Sequence, residues 1–182
     1  YTNQKPDLPL LNAIYKCNGI IHMGAHRGTE AAVYDWFNKP VIWIEANPNM
    51  IFSLKDNVSQ YPNQRVIHSL IGNEDDTEKD FNISNNDAAS SSVFEFGKDI
   101  ESKKMKMTLS IKLRTKKFDS LVQEYKIDIS KFDLWVLDIQ GSELIALEGA
   151  KKALEKCNFL LVEISKNEQY LNAPRWEDIK KF

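Results

Sequence analysis

Three apolar runs in this chain each end in polar residues whose types suit the binding of a nucleoside-bearing cofactor. The run 20–23 leads into Gly24-Ala25-His26-Arg27-Gly28, the run 41–44 into Glu45, and the run 134–137 into Asp138. Glycine permits positive φ and lets a ligand approach the backbone closely. A carboxylate about twenty residues after such a loop can accept hydrogen bonds from both hydroxyls of a ribose. The spacing Gly-x-x-x-Gly does not meet the dinucleotide fingerprint Gly-x-Gly-x-x-Gly, so the loop alone is also compatible with a structural turn.

Two carboxylates in the second half of the chain are candidates for proton transfer. Asp138 emerges from an apolar run, and Glu163 ends the next apolar run along the chain. Partial desolvation raises the pKa of a carboxyl group and suits it to accept a proton. Asp138 is equally compatible with binding the backbone N–H groups around Gly141. The two carboxylates could also hold a divalent cation.

The histidines and cysteines do not predict a metal centre. His22 and His26 are four residues apart, which on a helix would suggest a metal-binding pair, but here they span a strand end and a turn. We therefore predict no metal ligands. Cys17 and Cys157 are too few for a disulfide framework or a cysteine metal site. We expect two reduced thiols in a cytoplasmic protein.

The elements that position these residues alternate between strand and helix patterns. Strands are predicted at 19–23, 41–44, 65–71, 133–139 and 159–164, and the alternating residues 108–113 are a further strand candidate. Helices are predicted at 29–37, 47–60, 117–126, 142–156 and 174–182, with Asn47 and Ser142 as N-caps. The alternation predicts an α/β fold with a doubly wound, mostly parallel sheet and helices on both faces. Ligands bind such sheets at the carboxyl ends of the strands, so Gly24, Glu45 and Asp138 should converge on one crevice.

Length and composition favour a single domain. The chain has 182 residues, and we assign residues 1–182 to one domain with an N-terminal extension at 1–18 and an irregular substrate-side insertion at 73–107. A formal net charge of −2 and a pI near 6.0 give no support for nucleic-acid binding, and no run is long and apolar enough to span a bilayer. No strand pattern follows 159–164, so we expect the sheet to lack its last edge strands. The sequence does not determine the oligomeric state.

The three signatures together resemble the FkbM family of S-adenosylmethionine-dependent methyltransferases. That family carries a D-x-G-A-x-x-G loop, an E-x-N/x-P strand end and a D-x-x-G-x-E-x-x-x-L-x-G-A segment, in this order. The last of these reads here Asp138-Ile139-Gln140-Gly141-Ser142-Glu143-Leu144-Ile145-Ala146-Leu147-Glu148-Gly149-Ala150. Ser90-Ser91-Ser92 and Phe118-Asp119-Ser120-Leu121 also look like family features. The chief departure is His22, which stands in the place of the first acid of the loop motif.

The resemblance implies a class I methyltransferase fold, S-adenosyl-L-methionine as methyl donor, and methylation of a hydroxyl on a small molecule or sugar. The residues that it assigns to the cofactor are His22, Gly24, Ala25, His26, Gly28, Glu45, Ala46, Asn47, Gly72, Asp138 and Ile139. Among these, Gly24 and Gly28 would admit the methionine end and Glu45 would hold the ribose. Asp138 would act as the base or hold the acceptor hydroxyl, with Glu163 and His26 as further catalytic candidates.

Two alternatives stay open beside this reading. One is an NAD-dependent oxidoreductase of the Rossmann type, against which the absent third glycine argues. The other is a catalytically degenerate module that keeps the fold and binds an adenosyl ligand. His22 favours this second alternative slightly, because it replaces an acid of the family motif.

Overall fold

The computed structural model describes residues 8–97, 104–164 and 168–182. In chain order its elements are α1 (Leu8–Lys16), β1 (Ile20–Met23), α2 (Ala31–Trp36), β2 (Val41–Glu45), α3 (Pro48–Val58), β3 (Gln64–His68), β4 (Leu70–Ile71), β5 (Glu78–Ser84), β6 (Met107–Lys116), α4 (Phe118–Glu124), β7 (Leu134–Leu137), α5 (Glu143–Glu148), β8 (Phe159–Val162) and α6 (Trp176–Lys181). Short 3-10 helices occupy Ile129–Lys131 and Ala153–Lys156. None of the described helices is long and apolar enough to cross a membrane.

The main sheet has five parallel strands in the order β3-β2-β1-β7-β8. The chain moves outward from β1 through β2 to β3, and later returns to place β7 on the other side of β1. This reversal leaves a crevice beyond the carboxyl ends of β1 and β7, where open α/β sheets bind ligands. The predicted doubly wound, parallel α/β fold is confirmed.

Register brings the predicted site residues to one level of the sheet. Met23 lies beside Ile44 of β2 and beside Leu137 of β7. The residues that directly follow Met23, Ile44 and Leu137 in the chain are Gly24, Glu45 and Asp138. These three residues leave neighbouring strands side by side, as the sequence predicted.

The sheet is held between two apolar layers because its central strands are buried on both faces. Every residue of β1, β2 and β7 is buried. Ile20 and Trp43 pack in a cluster that includes residues of α1, α2 and α3, whereas Ile21 and Trp135 pack in a cluster with residues of α4 and α5. Continuous apolar runs are expected for parallel strands that are covered on both sides.

A second, three-stranded sheet in the order β4-β6-β5 corrects two predictions. The predicted strand 65–71 divides at Ser69, whose N–H donates to the Glu45 carbonyl oxygen, so that β3 joins the main sheet and β4 pairs with β6. The segment 73–107 is not irregular throughout, because β5 forms a seven-residue antiparallel ladder with β6. Phe81 and Ile83 of β5 are buried against Leu70, which stabilises this ladder.

The helix predicted at 142–156 is shorter than expected. It ends at Glu148, and Gly149 follows as its C-cap. A Cβ on Gly149 would lie 2.0 Å from the Gly72 carbonyl oxygen, so only glycine fits at that position. Ser142 makes no side-chain capping bond. The amides of Lys152 and Ala153 instead donate to the Asp119 carboxylate, which caps the following 3-10 helix from a distant segment.

Candidate functional site

A cavity lies beyond the carboxyl ends of β1, β2 and β7 and contains about 610 Å³ of space not filled by protein atoms, its open mouth included. Six of the predicted site residues line it, namely Gly24, His26, Glu45, Ala46, Asp138 and Ile139. We call it the first cavity. It therefore collects residues from all three sequence signatures.

The first cavity does not contain every predicted residue. Ala25 and Gly28 are buried behind its wall, and Asn47 lies beneath it at the start of α3. Gly72 packs against Thr115 and borders a different cavity. His22 and Glu163 line another cavity, described below.

Gly24 is required by protein packing in this structure. Its φ is +86°, and a Cβ there would lie 1.8 Å from the carbonyl oxygen of Asp138. The loop after β1 and the loop after β7 thus pass in direct contact. Gly28 has φ +66° and faces Leu54 in the same way, with a Cβ position 2.7 Å from the Leu54 side chain. Both glycines are therefore required by contacts within the protein, and only Gly24 lines the first cavity.

Glu45 is a buried carboxylate held in one orientation by backbone amides. Its Oε2 accepts a hydrogen bond from the His26 N–H at 2.7 Å, and its Oε1 accepts one from the Asn47 N–H at 2.7 Å. Burial raises the pKa of Glu45, and these amides oppose that rise. Each oxygen keeps a further lone pair, so the carboxylate can accept hydrogen bonds from two adjacent hydroxyls of a ligand.

Asn47 has the capping role that the sequence predicted. Its Oδ1 accepts from the Asn49 N–H at 3.0 Å, and Pro48 follows as the first residue of α3. Its Nδ2 is buried and has no hydrogen-bond partner in the described part of the chain.

The structure separates the two roles that Asp138 could have had. The backbone N–H groups of Ile139 and Gly141 donate to Oε1 of Glu143, at 3.1 and 3.2 Å, so Glu143 is the acid that holds this loop. Asp138 instead accepts from Nε2 of Gln140. Burial, together with the neighbouring Glu163 carboxyl, raises the pKa of Asp138 to about 8. A carboxyl group in this state can exchange a proton near neutral pH.

Gln140 joins the two candidate carboxylates. Its Nε2 also donates to Oε2 of Glu163 at 3.1 Å, so one side-chain amide bridges Asp138 and Glu163. The amide is held in this orientation because its Oε1 accepts the Tyr170 O–H at 2.6 Å. The backbone of Gln140 has φ +56°, and its carbonyl oxygen accepts from Ser92 Oγ at 2.7 Å. Tyr170 lies outside the sequence motifs, and no local signal identified it.

A loop at residues 85–92, the covering loop, lies over the first cavity. Asp87 is its main attachment: its carbonyl oxygen accepts from Nε2 of His26 at 2.8 Å and its carboxylate pairs with Arg27 at 2.7 Å. Because Nε2 of His26 carries the proton of this bond, that nitrogen is not available as a base. Ala88, Ala89 and Ser91 of the loop line the cavity. The stretch Ser90-Ser91-Ser92, which resembles a family feature, ends this loop.

The remaining wall of the first cavity is apolar and comes mainly from the second sheet. Leu70, Ile71 and Phe81 form it, with Val93 beside them. Sequence reasoning missed these residues because β4 and β5 were not recognised as parts of one sheet. A flat aromatic base fits such a wall better than a charged group does.

No group of three or more histidine, cysteine, aspartate or glutamate side chains that could hold a metal ion occurs in residues 8–97, 104–164 and 168–182. His22 and His26 have different surroundings, since the His22 ring stacks on Trp43 with centroids 4.8 Å apart while His26 contacts the covering loop.

Comparison with known proteins identifies the family of this chain. Residues 22–182 match the model of the methyltransferase FkbM domain, which covers nearly the whole chain. No curated protein and no solved structure matches the chain significantly. The matched region contains all three strand-end signatures and every described helix except α1. The chain therefore belongs to the FkbM methyltransferase domain family.

Proposed function

We propose that this methyltransferase takes its methyl group from S-adenosyl-L-methionine and transfers it to a hydroxyl oxygen of a small molecule or glycan. The residues of the first cavity fit the adenosine part of that donor. The Glu45 carboxylate would accept hydrogen bonds from the two ribose hydroxyls, and the apolar wall formed by Leu70, Ile71 and Phe81 would cover the base. Gly24 and His26 would line the part of the cavity that leads from the ribose of the donor toward its sulfur atom.

The protein's remaining task is to position the acceptor oxygen and to take its proton. S-adenosylmethionine supplies an electrophilic methyl group when bound, so the donor itself needs no activation by the protein. Correct positioning contributes on the order of 7–11 kcal/mol to such reactions. A base within hydrogen-bonding distance of the hydroxyl raises the reaction rate by roughly 10²–10⁴-fold. Asp138 suits this role because its side chain is half-buried at the edge of the first cavity and its pKa is raised to about 8.

The observation that carries the proposal is that Glu45 and Asp138 line one cavity from the ends of two different strands. Titration calorimetry with S-adenosylhomocysteine tests it. We expect the wild-type protein to bind, and Glu45→Gln to bind at least tenfold more weakly. In the variant, one carboxylate oxygen becomes an NH2 group, which donates hydrogen bonds and does not accept them. This group would face either a backbone N–H of the protein or a ribose hydroxyl, and the hydrogen bond that the carboxylate accepted there would be lost. Hydrogen bonds to charged groups contribute about 1.5–3 kcal/mol, which corresponds to that loss.

Glu124→Gln is the matched control, because Glu124 is exposed on α4 and pairs with Lys116 at the surface. It should bind S-adenosylhomocysteine as the wild type does. Equal affinity of Glu45→Gln and the wild type would remove Glu45 from the donor site. Binding of NAD in place of S-adenosylhomocysteine would favour an oxidoreductase and refute the proposal.

A further inference from the structure

A second cavity lies beside the first, on the side of the main sheet that carries α1 and α2. It contains about 720 Å³ of space not filled by protein atoms, open solvent included. Leu10 of α1, Tyr34 of α2, His22 of β1 and Leu161 of β8 contribute to its walls. Nothing in the proposed donor site occupies this space.

His22 has one ring nitrogen that is suited to bind a ligand in the second cavity. The side chain is only 6% exposed, and its ring is held by stacking on Trp43 and by a 3.1 Å hydrogen bond between Nδ1 and the Tyr34 hydroxyl. Within the described residues, Nε2 of His22 has no hydrogen-bond partner. It is also not one of the unpaired side-chain atoms that the protein encloses completely. A ligand hydroxyl in the cavity would satisfy it.

The ring of His22 is neutral at physiological pH. Burial lowers the pKa of His22 to about 4. A neutral imidazole exchanges hydrogen bonds with a hydroxyl group but offers no positive charge to an anion.

The two cavities meet at Asp138, which lines both of them. Glu163, bridged to Asp138 through Gln140, also lines the second cavity. A hydroxyl compound in the second cavity would therefore lie beside a residue that also borders the first cavity. No other residue of the proposed chemistry borders both spaces.

The wall of the second cavity selects against anions. Its ionisable groups are the carboxyls of Glu30, Asp138 and Glu163, and no lysine or arginine is among the described residues that line it. Even where the raised pKa of Asp138 keeps that carboxyl protonated, a phosphate or carboxylate on the ligand would meet Glu30 and Glu163 without a compensating cation. The rest of the wall includes the aliphatic side chains of Leu10, Val136 and Leu161.

From this geometry we propose that the second cavity is the acceptor site, that Nε2 of His22 binds the acceptor, and that the acceptor is an uncharged hydroxyl compound with an apolar portion. The inference rests on the proposed methyltransferase function. It assigns His22 to the acceptor, in place of the cofactor role that the family motif implied.

The test fills the second cavity and leaves the first one free. Leu161→Trp puts an indole into the second cavity at a position that is 38% exposed, and Leu160→Trp is the matched control, because Leu160 is 44% exposed and does not line that cavity. Each variant and the wild type are titrated with S-adenosylhomocysteine by calorimetry. Each saturated complex is then titrated with p-nitrophenyl β-D-glucopyranoside, an uncharged probe, and with p-nitrophenyl phosphate, its anionic counterpart.

We expect all three proteins to bind S-adenosylhomocysteine within twofold of one another. The glucoside should bind the wild type and Leu160→Trp, and bind Leu161→Trp at least tenfold more weakly, while the phosphate should not bind. His22→Leu should weaken glucoside binding and leave S-adenosylhomocysteine binding unchanged. Equal circular dichroism spectra of the variants show that they are folded.

Three results would overturn the inference. Weaker S-adenosylhomocysteine binding by Leu161→Trp or His22→Leu would make the second cavity part of the donor site. Absence of glucoside binding to the wild type, or equal binding by Leu161→Trp, would refute an acceptor site for this class. Binding of p-nitrophenyl phosphate would refute the charge selectivity. A wild type that does not bind S-adenosylhomocysteine at all would instead refute the proposed function, so the two failures are distinguishable.

Discussion

Removing the amide of Gln140 should make the Asp138 carboxyl harder to ionise. In the structure this amide donates to both Asp138 and Glu163, and the Tyr170 hydroxyl holds it in place. Gln140→Met keeps an unbranched side chain of similar length but removes both donors. Tyr170 can then donate to the Ser90 carbonyl oxygen, which already lies 3.1 Å from its hydroxyl. The substitution therefore leaves no new unpaired donor at Tyr170.

The size of the effect follows from the bond that is lost. A hydrogen bond to a charged group contributes about 1.5–3 kcal/mol. One pKa unit corresponds to about 1.4 kcal/mol, so the pKa of Asp138 should rise by about one to two units above its wild-type value of about 8. The direction is upward because the Gln140 amide stabilises the ionised carboxylate. Because Asp138 and Glu163 interact, the quantity observed is the higher of the two pKa values of the pair.

Infrared spectroscopy in D₂O measures this directly. The carbonyl stretch of a protonated carboxyl group is followed against pH, and the band that disappears in Asp138→Asn is assigned to the pair. Gln123→Met is the matched control, since Gln123 is exposed on α4 and makes no contact with the carboxylates. A band that titrates below pH 5 in the wild type, or that moves to lower pH in Gln140→Met, would refute the reasoning.

Three further predictions concern the stability of the fold. Since the pKa of Asp138 is raised from 3.8 to about 8, the folded state holds a proton in that range that the unfolded state has lost. The free energy of unfolding should therefore fall with rising pH by up to about 1.4 kcal/mol per unit, and urea titrations of Asp138→Asn should show a smaller slope. The pKa of His22 is lowered from 6.5 to about 4, so the unfolded state binds the extra proton between these values. Stability should fall as the pH drops through this window, and a His22→Phe variant with the wild-type acid sensitivity would contradict this. Gly24→Ala should lose about 3 kcal/mol or more of unfolding free energy, because its Cβ would overlap the Asp138 carbonyl oxygen. Near-wild-type thermal stability of that variant would show that the two loops can separate.

The main sheet could be predicted from the sequence because its signals are local. Each central strand is a short apolar run with a polar end, and β1, β2 and β7 begin and end within two residues of their predicted limits. Asn47 and Pro48 marked the start of α3 correctly for the same reason. Such signals depend on neighbouring residues and on burial of both sheet faces. Both are visible in the sequence as short apolar runs.

The second sheet could not be predicted because its pairings join distant segments. The run 65–71 reads as one strand, but Ser69 ends its pairing with the main sheet and Leu70 pairs with Thr115. Nothing near Ser69 in the sequence indicates that the partner changes there. The apolar wall of the first cavity depends on that change, so it was missed as well.

The amino-acid sequence by itself determined which polar residues end the central strands, and hence that Gly24, Glu45 and Asp138 lie together. Only the tertiary structure decided their partners: Glu143 takes the backbone amides that Asp138 could have bound, Gln140 bridges Asp138 to Glu163, and His22 faces a different cavity from Glu45. The physical reason is the distance along the chain over which each kind of interaction acts. Strand and helix signals arise from neighbouring residues along the chain, whereas hydrogen-bond partners and cavities arise where segments far apart in sequence are packed against each other.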